Sequence, residues 1–71
     1  MAQELVAEMV ANVLTVVASP GDALAAGDTV VILESMKMEM PVEAEDEGRV
    51  SEILCQEGQS VSEGDPLVVL E

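Results

Sequence analysis

The sequence predicts an all-β fold, a flattened β-barrel or sandwich of two small antiparallel sheets related by a pseudo-twofold axis. The main observation is that the chain repeats itself at an offset of 37 residues, so that 16–34 aligns with 53–71. Both glycines of the first segment recur in the second, as expected for short strands separated by tight turns. The 71 residues include 12 Val but no Phe, Tyr or Trp, and short aliphatic side chains suit closely spaced sheets.

Each half-repeat has the same predicted order of elements. A strand leads into a Gly turn, a short strand, a Gly-Asp turn and a final strand. The half-repeats cover about 11–34 and 48–71, the short strands lie around Leu24 and Val61, and the final strands lie at 29–34 and 66–71. Neither half could cover its own apolar face, so we expect the two to pack together.

A chain of this length has room for one domain, here 1–71. The two halves are connected through residues 35–38, which we predict to form a tight hairpin.

The N-terminal segment 4–17 is the one place where periodicity favours a different element. Leu5, Met9 and Val13 recur at the spacing of an amphipathic helix. We nevertheless predict strand structure, because the repeat aligns the end of this segment with Gly48–Val50. The content of β-branched residues is also high, and no capping residue opens a helix.

The charge balance excludes several classes of partner. Two basic and 15 acidic residues give a net charge of −13, which repels nucleic acid and anionic membrane surfaces. We therefore expect no nucleic-acid and no membrane partner, and a monomer in isolation. The acidic surface could steer the chain towards basic patches on a protein, but it could equally serve solubility alone.

The only cysteine, Cys55, can form no internal disulfide. Its neighbours Ile53 and Leu54 predict a small buried hydrophobe, and no His is present to activate a thiolate. No stretch approaches the length of a membrane span, and the N-terminus lacks a basic segment. We therefore expect a cytoplasmic protein.

The connection between the halves contains the only lysine, Lys37, within Glu34-Ser35-Met36-Lys37-Met38-Glu39-Met40-Pro41. A protein that must be acylated at one amine gains from having no competing lysine, although an acidic composition that merely excludes lysine would explain the same observation. The tight hairpin places Met36 and Lys37 near its tip. Met-Lys is unfavourable there, because such turns need positive φ at central residues and prefer Asn-Gly or Asp-Gly. The misfit suggests that function dictates these residues.

The three methionines around Lys37 have different predicted roles. If side chains alternate as in a strand, Met36 and Met38 lie opposite Lys37 and anchor the segment while the amine projects. We also expect these two to form a flexible apolar recognition surface, whereas Met40 fills the core.

The segment Glu34-Ser35-Met36-Lys37-Met38-Glu39 resembles the biotin attachment motif of biotin-dependent carboxylases. The resemblance extends over nearly the whole chain and is strongest to freestanding biotin carboxyl carriers with the barrel-sandwich hybrid fold of biotinyl and lipoyl domains. It implies covalent biotin on Lys37, with Met36 and Met38 as flanking recognition residues and Glu34 and Ser35 as further motif residues. The chain departs from the family where Glu8-Met9-Val10-Ala11 replaces a Pro-Met-x-Gly-like segment.

The resemblance also implies a mechanism and its partners. A biotin protein ligase attaches biotin to Lys37, and the swinging arm carries carboxylate between a biotin carboxylase and a carboxyltransferase site. The chain itself has no catalytic residues, so it is expected not to be an enzyme but a component of a biotin-dependent carboxylase.

Two other functions remain as alternatives. The first is a lipoyl carrier of a 2-oxo acid dehydrogenase or glycine cleavage system, although lipoyl lysines typically follow Asp and precede Ala. The second is a small acidic metal-buffer protein, suggested by Glu43, Glu45, Asp46 and Glu47. That segment does not fit a calcium loop, whose twelfth position, here Leu54, requires Glu. We expect a solvated turn and no metal site.

Overall fold

The computed structural model describes residues 3–71, which form two four-stranded antiparallel sheets. The strand order is β1-β8-β6-β3 in the first sheet and β5-β4-β2-β7 in the second. The strands are β1 Gln3–Val6, β2 Ala11–Val16, β3 Ala23–Leu24, β4 Thr29–Ser35, β5 Met38–Glu43, β6 Gly48–Ile53, β7 Ser60–Val61 and β8 Pro66–Leu70. The predicted fold class, a sandwich of two small antiparallel sheets, is confirmed.

The strands follow the 37-residue repeat. Shifting β2 and β3 by 37 positions gives the bounds of β6 and β7, and the short strands predicted around Leu24 and Val61 are β3 and β7. The strands predicted at 29–34 and 66–71 are β4 and β8, correct to within one residue at each end. Each sheet takes two strands from each half of the chain, so the two halves are interlocked rather than stacked side by side.

Strand β2 confirms that the segment before the first Gly turn is not helical. Burial alternates along it, with Ala11 and Val13 buried and Asn12 and Leu14 exposed, as expected for a strand with one face on the core. The helical spacing that begins at Leu5 is a coincidence, because it spans β1, the bend at 8–10 and β2.

Four turns of the same design connect the strands. In the first, the Asp22 N–H donates to the Ser19 carbonyl at 3.1 Å, and the Ser19 N–H donates back to Asp22 Oδ2 at 2.9 Å. The third residue, Gly21, has φ 92°, the conformation that a type II turn requires. The same pair of hydrogen bonds recurs in the turns Ala25–Asp28, Gln56–Gln59 and Ser62–Asp65.

These turns also join the two halves. The Gly21 N–H donates to the Val50 carbonyl and the Gly58 N–H to the Val13 carbonyl, both at 2.8 Å. The two donors, Gly21 and Gly58, are 37 positions apart, and so are the two acceptors, Val13 and Val50. The two hydrogen bonds are therefore equivalent under a pseudo-twofold axis. The turns therefore hold the halves together by backbone contacts that do not depend on side-chain identity.

The core lies between the sheets and consists of aliphatic side chains from both halves. Leu67, Leu70 and Val30 are fully buried, and no polar or charged side chain is buried within residues 3–71. Cys55 belongs to this core, as predicted, and burial raises the pKa of its thiol despite an opposing backbone hydrogen bond. The described residues contain no helix long and apolar enough to cross a membrane.

Candidate functional site

The hairpin between β4 and β5 is a two-residue turn made of Met36 and Lys37. Ser35 pairs with Met38 immediately before it, and the two central residues have φ 53° and 66°. Positive φ at both central positions is the signature of a type I′ turn, whose twist matches that of the flanking strands. The hairpin and its unfavourable turn residues, both predicted from the sequence, are confirmed.

The backbone of this turn is energetically costly. Met36 and Lys37 are the only non-glycine residues of the described chain with positive φ. An L-residue with a Cβ costs about 1–2 kcal/mol in the left-handed region. Asn-Gly would form the same turn with less backbone strain. The requirements of folding therefore do not explain why Met36 and Lys37 occupy it.

The Lys37 side chain is exposed at the second position of the turn. A covalent cofactor attached through an amide needs an amine that a second protein can reach, and a lysine at the tip of a hairpin meets this requirement. The residues present therefore fit a covalently attached acyl cofactor at Lys37.

The methionines beside the amine are exposed as well. Met36 is 90% exposed and Met38 is 65% exposed, whereas Met40 is half-buried and packs against the core. The core role of Met40 is confirmed. The anchoring role of Met36 and Met38 was wrong, because strand alternation does not continue through a turn with positive φ. Both side chains instead leave apolar surface in water next to Lys37.

Two carboxylates flank the turn. Glu34 and Glu39 are directly paired across β4 and β5, one residue pair beyond Ser35 and Met38. Like charges opposite each other destabilise a strand pair, so this pair does not help the hairpin to form. Glu34 and Ser35 are half-buried, whereas Glu39 is exposed.

The acidic segment that suggested a metal site lies in the loop between β5 and β6. Glu45, Asp46 and Glu47 are exposed there, and Glu43 ends β5 with an exposed side chain. Within residues 3–71 no group of three His, Cys, Asp or Glu side chains is placed to hold a metal ion.

Sequence reasoning missed the facing edges of the two sheets. Strand β1 was not separated from β2, and the side chains that line a groove between β1 and β5 were not identified. A signal was present, because Ala7-Glu8 is repeated as Ala44-Glu45 at the same offset of 37. The duplication therefore extends upstream of the half-repeats that were predicted.

Replacing Met36 with Asn is expected to stabilise the fold. Asn adopts positive φ more readily than Met, so the free energy of unfolding should rise by about 0.5–1 kcal/mol. Met38→Asn is the matched control, because Met38 lies in β5 and lacks positive φ. Urea denaturation followed by far-ultraviolet circular dichroism measures both, and a lower midpoint for Met36→Asn would contradict the assigned turn.

The chain as a whole is similar to known proteins. A family model described as "Biotin-requiring enzyme" matches residues 1–70. The chain is 47% identical over 70 residues to "Biotinylated protein TB7.3 homolog" from Mycobacterium leprae, a match that covers 99% of each chain.

Two of the solved structures with the same fold belong to different classes of protein. The urea carboxylase of Kluyveromyces lactis contains a region that superposes with a TM-score of 0.94 and 39% identity, covering 100% of this chain and 6% of that one. The lipoyl domain of the 2-oxoglutarate dehydrogenase complex from Azotobacter vinelandii superposes with a TM-score of 0.77 and 28% identity, covering 94% and 95%.

Proposed function

The chain belongs to the biotin/lipoyl attachment family of biotin-requiring enzymes, and we propose that it is a biotin carboxyl carrier whose acceptor is Lys37. The observation that supports this most directly is the position of the only lysine. It is exposed at the tip of a two-residue turn whose backbone disfavours both Met36 and Lys37. A residue that is retained in an exposed turn at an energetic cost is most simply explained by a functional role.

Biotin is favoured over lipoate by the residues next to the acceptor. Lys37 lies between two methionines, as in the attachment motif of biotin-dependent carboxylases, and not between Asp and Ala. Identity to the urea carboxylase region, 39%, also exceeds the 28% to the lipoyl domain. A lipoyl carrier remains the second candidate because that domain has the same fold.

The exposed methionines suit recognition by a biotin protein ligase. Met36 and Met38 present most of their surface to water, and burial of such a side chain against a partner contributes about 1.5–3 kcal/mol. Met is also flexible enough to fit pockets of different shape. The ligase is needed because a free carboxyl group does not acylate an amine in water, so the acyl group must be activated before Lys37 can attack it.

Attachment changes the charge of the hairpin. When Lys37 Nζ forms the amide it loses its positive charge, so the net charge of −13 becomes one unit more negative. Glu34 and Glu39 then become the charged groups nearest the modified side chain along the two strands. We include them in the proposed recognition surface for basic groups of partner proteins.

The chain itself contributes positioning and no catalytic group. Bound biotin would supply the ureido nitrogen that carries carboxylate from a biotin carboxylase to a carboxyltransferase. The sandwich holds Lys37 on a short, well-defined turn, so that the long side chain provides the movement. Tethering makes the visit to the second site intramolecular and raises the effective concentration there. The free, buried Cys55 is consistent with a cytoplasmic location, which is part of the proposal.

Intact mass spectrometry of the chain after co-expression with a biotin protein ligase tests this function. We expect one biotinoyl group per chain, mapped by fragmentation to Lys37, and capture by streptavidin. A parallel co-expression with a lipoate ligase is expected to give no addition. One lipoyl group and no biotinoyl group would replace the proposal with the lipoyl carrier.

A further inference from the structure

The edges of the two sheets face each other across a groove that the carrier function does not use. Strand β1 is the edge of the first sheet and β5 the edge of the second, and residues of both strands line a cavity of about 530 Å³. We name it the seam groove. Shifting β1 by 37 positions places it within β5, so the groove lies along the pseudo-twofold axis.

The floor of the seam groove is apolar. It includes Leu5, Val6, Met9, Met40 and Val42. Val6 is 37% exposed and Met9 is 46% exposed, whereas Met40 and Val42 are half-buried. The exposed parts of Val6 and Met9 are therefore apolar surface that a partner could remove from water, and such burial favours binding.

The rim of the seam groove is acidic. Glu4 and Glu8 lie on the β1 side, and Glu43 and Glu45 lie on the β5 side. Neither of the chain's two basic side chains lines the groove within the described residues. Carboxylates around an apolar cleft create a focused negative potential that attracts cationic groups.

We propose that the seam groove is a docking site for an extended segment of a partner protein in which aliphatic and basic side chains alternate. Such a segment turns its aliphatic side chains to one face, where they fill the apolar floor. The long stems of Lys and Arg let their charged ends reach back to the rim carboxylates. The charge of the rim selects this occupant over an acidic segment or a second copy of this acidic chain.

The seam groove lies near the acceptor hairpin without including it. Met40 is three residues from Lys37, which corresponds to about 10 Å along a strand. A segment docked in the groove would therefore sit beside the turn and leave the lysine accessible. The proposal does not depend on which cofactor Lys37 carries.

A peptide titration followed by two-dimensional ¹H–¹⁵N NMR tests the docking site. The probe is a synthetic peptide of alternating Lys and Val, capped at both ends and added to the ¹⁵N-labelled full chain. We expect saturable shift changes concentrated at Val6, Met9 and Val42. Changes that are absent, or spread over the whole acidic surface, would overturn the proposal.

Two double variants separate the seam groove from net charge. Glu8→Lys with Glu45→Lys reverses two rim charges, whereas Glu52→Lys with Glu63→Lys reverses two exposed charges that do not line the groove. Each substitution adds two positive units, so both variants carry −9 in place of −13. We expect the rim variant to bind the peptide roughly tenfold or more weakly and the control variant to differ by about twofold.

The same spectra show whether each variant is folded, through the dispersion of its amide signals. Equal weakening in both variants would assign the binding to general charge and sink the proposal. Shifts at the groove that depend on protein concentration without peptide would identify a second copy as the occupant, and would also overturn it.

Discussion

Substituting Arg for Lys37 is expected to abolish biotin attachment during co-expression with a biotin protein ligase. The guanidinium retains the positive charge but stays protonated in proteins, so it cannot attack an activated acyl group. No other lysine is present to take its place. Streptavidin blotting and intact mass should show complete loss of the biotinoyl group, while the denaturation midpoint stays close to that of the unmodified wild type.

A second lysine placed elsewhere distinguishes the hairpin from lysine as such. Arg49 is exposed on β6, and its guanidinium donates to the Gly21 carbonyl at 2.8 Å. Arg49→Lys in the Lys37→Arg background restores one lysine on the surface but not at the turn. We expect this double variant to stay unlabelled and Arg49→Lys alone to be labelled normally. Labelling of the double variant would show that the turn does not define the acceptor.

Truncating Leu67 to Ala is expected to remove a large part of the free energy of unfolding. Leu67 is fully buried in β8, which lies between β1 and β6. Removing a buried Leu side chain costs about 2–5 kcal/mol, and small domains are stable by only about 5 kcal/mol or somewhat more. Far-ultraviolet circular dichroism in urea is the appropriate measurement, because the chain has no aromatic residue to report by fluorescence.

Leu14→Ala provides the matched control for this core substitution. The same side chain is lost, but Leu14 is 40% exposed on the outer face of β2. We expect a change in unfolding free energy below about 1 kcal/mol. Equal losses at the two positions would mean that the Leu67 side chain is not buried between the sheets as described.

Much of the fold follows from the repeat in the sequence. Because two matching halves must adopt matching structures, the second half showed that 11–16 is a strand despite its helical spacing. Which strands pair with each other was harder to predict from the sequence. Equivalent strands in the two halves carry similar side chains, so β1 could pair within its own half or with β8, and only tertiary packing selects β8.

The candidate site was predicted in position but not in its details. A unique Lys37 in an unfavourable turn sequence was sufficient to locate the hairpin. The exposure of Met36 and Met38 was not predictable from alternation, because positive φ at two successive residues reorients the side chains. The seam groove arises from two edges that are far apart in sequence, and its apolar residues do not form a local pattern.

The interlocking of the halves has a consequence for how such a chain could have originated. Strands β1 to β4 end at Ser35 and β5 to β8 begin at Met38, with each half supplying strands to both sheets. An ancestral polypeptide of half this length could have closed its core only as an intertwined homodimer. Gene duplication and fusion would then have joined the two copies at residues 36–37. The turn that bears the acceptor would thus mark the junction between the two copies.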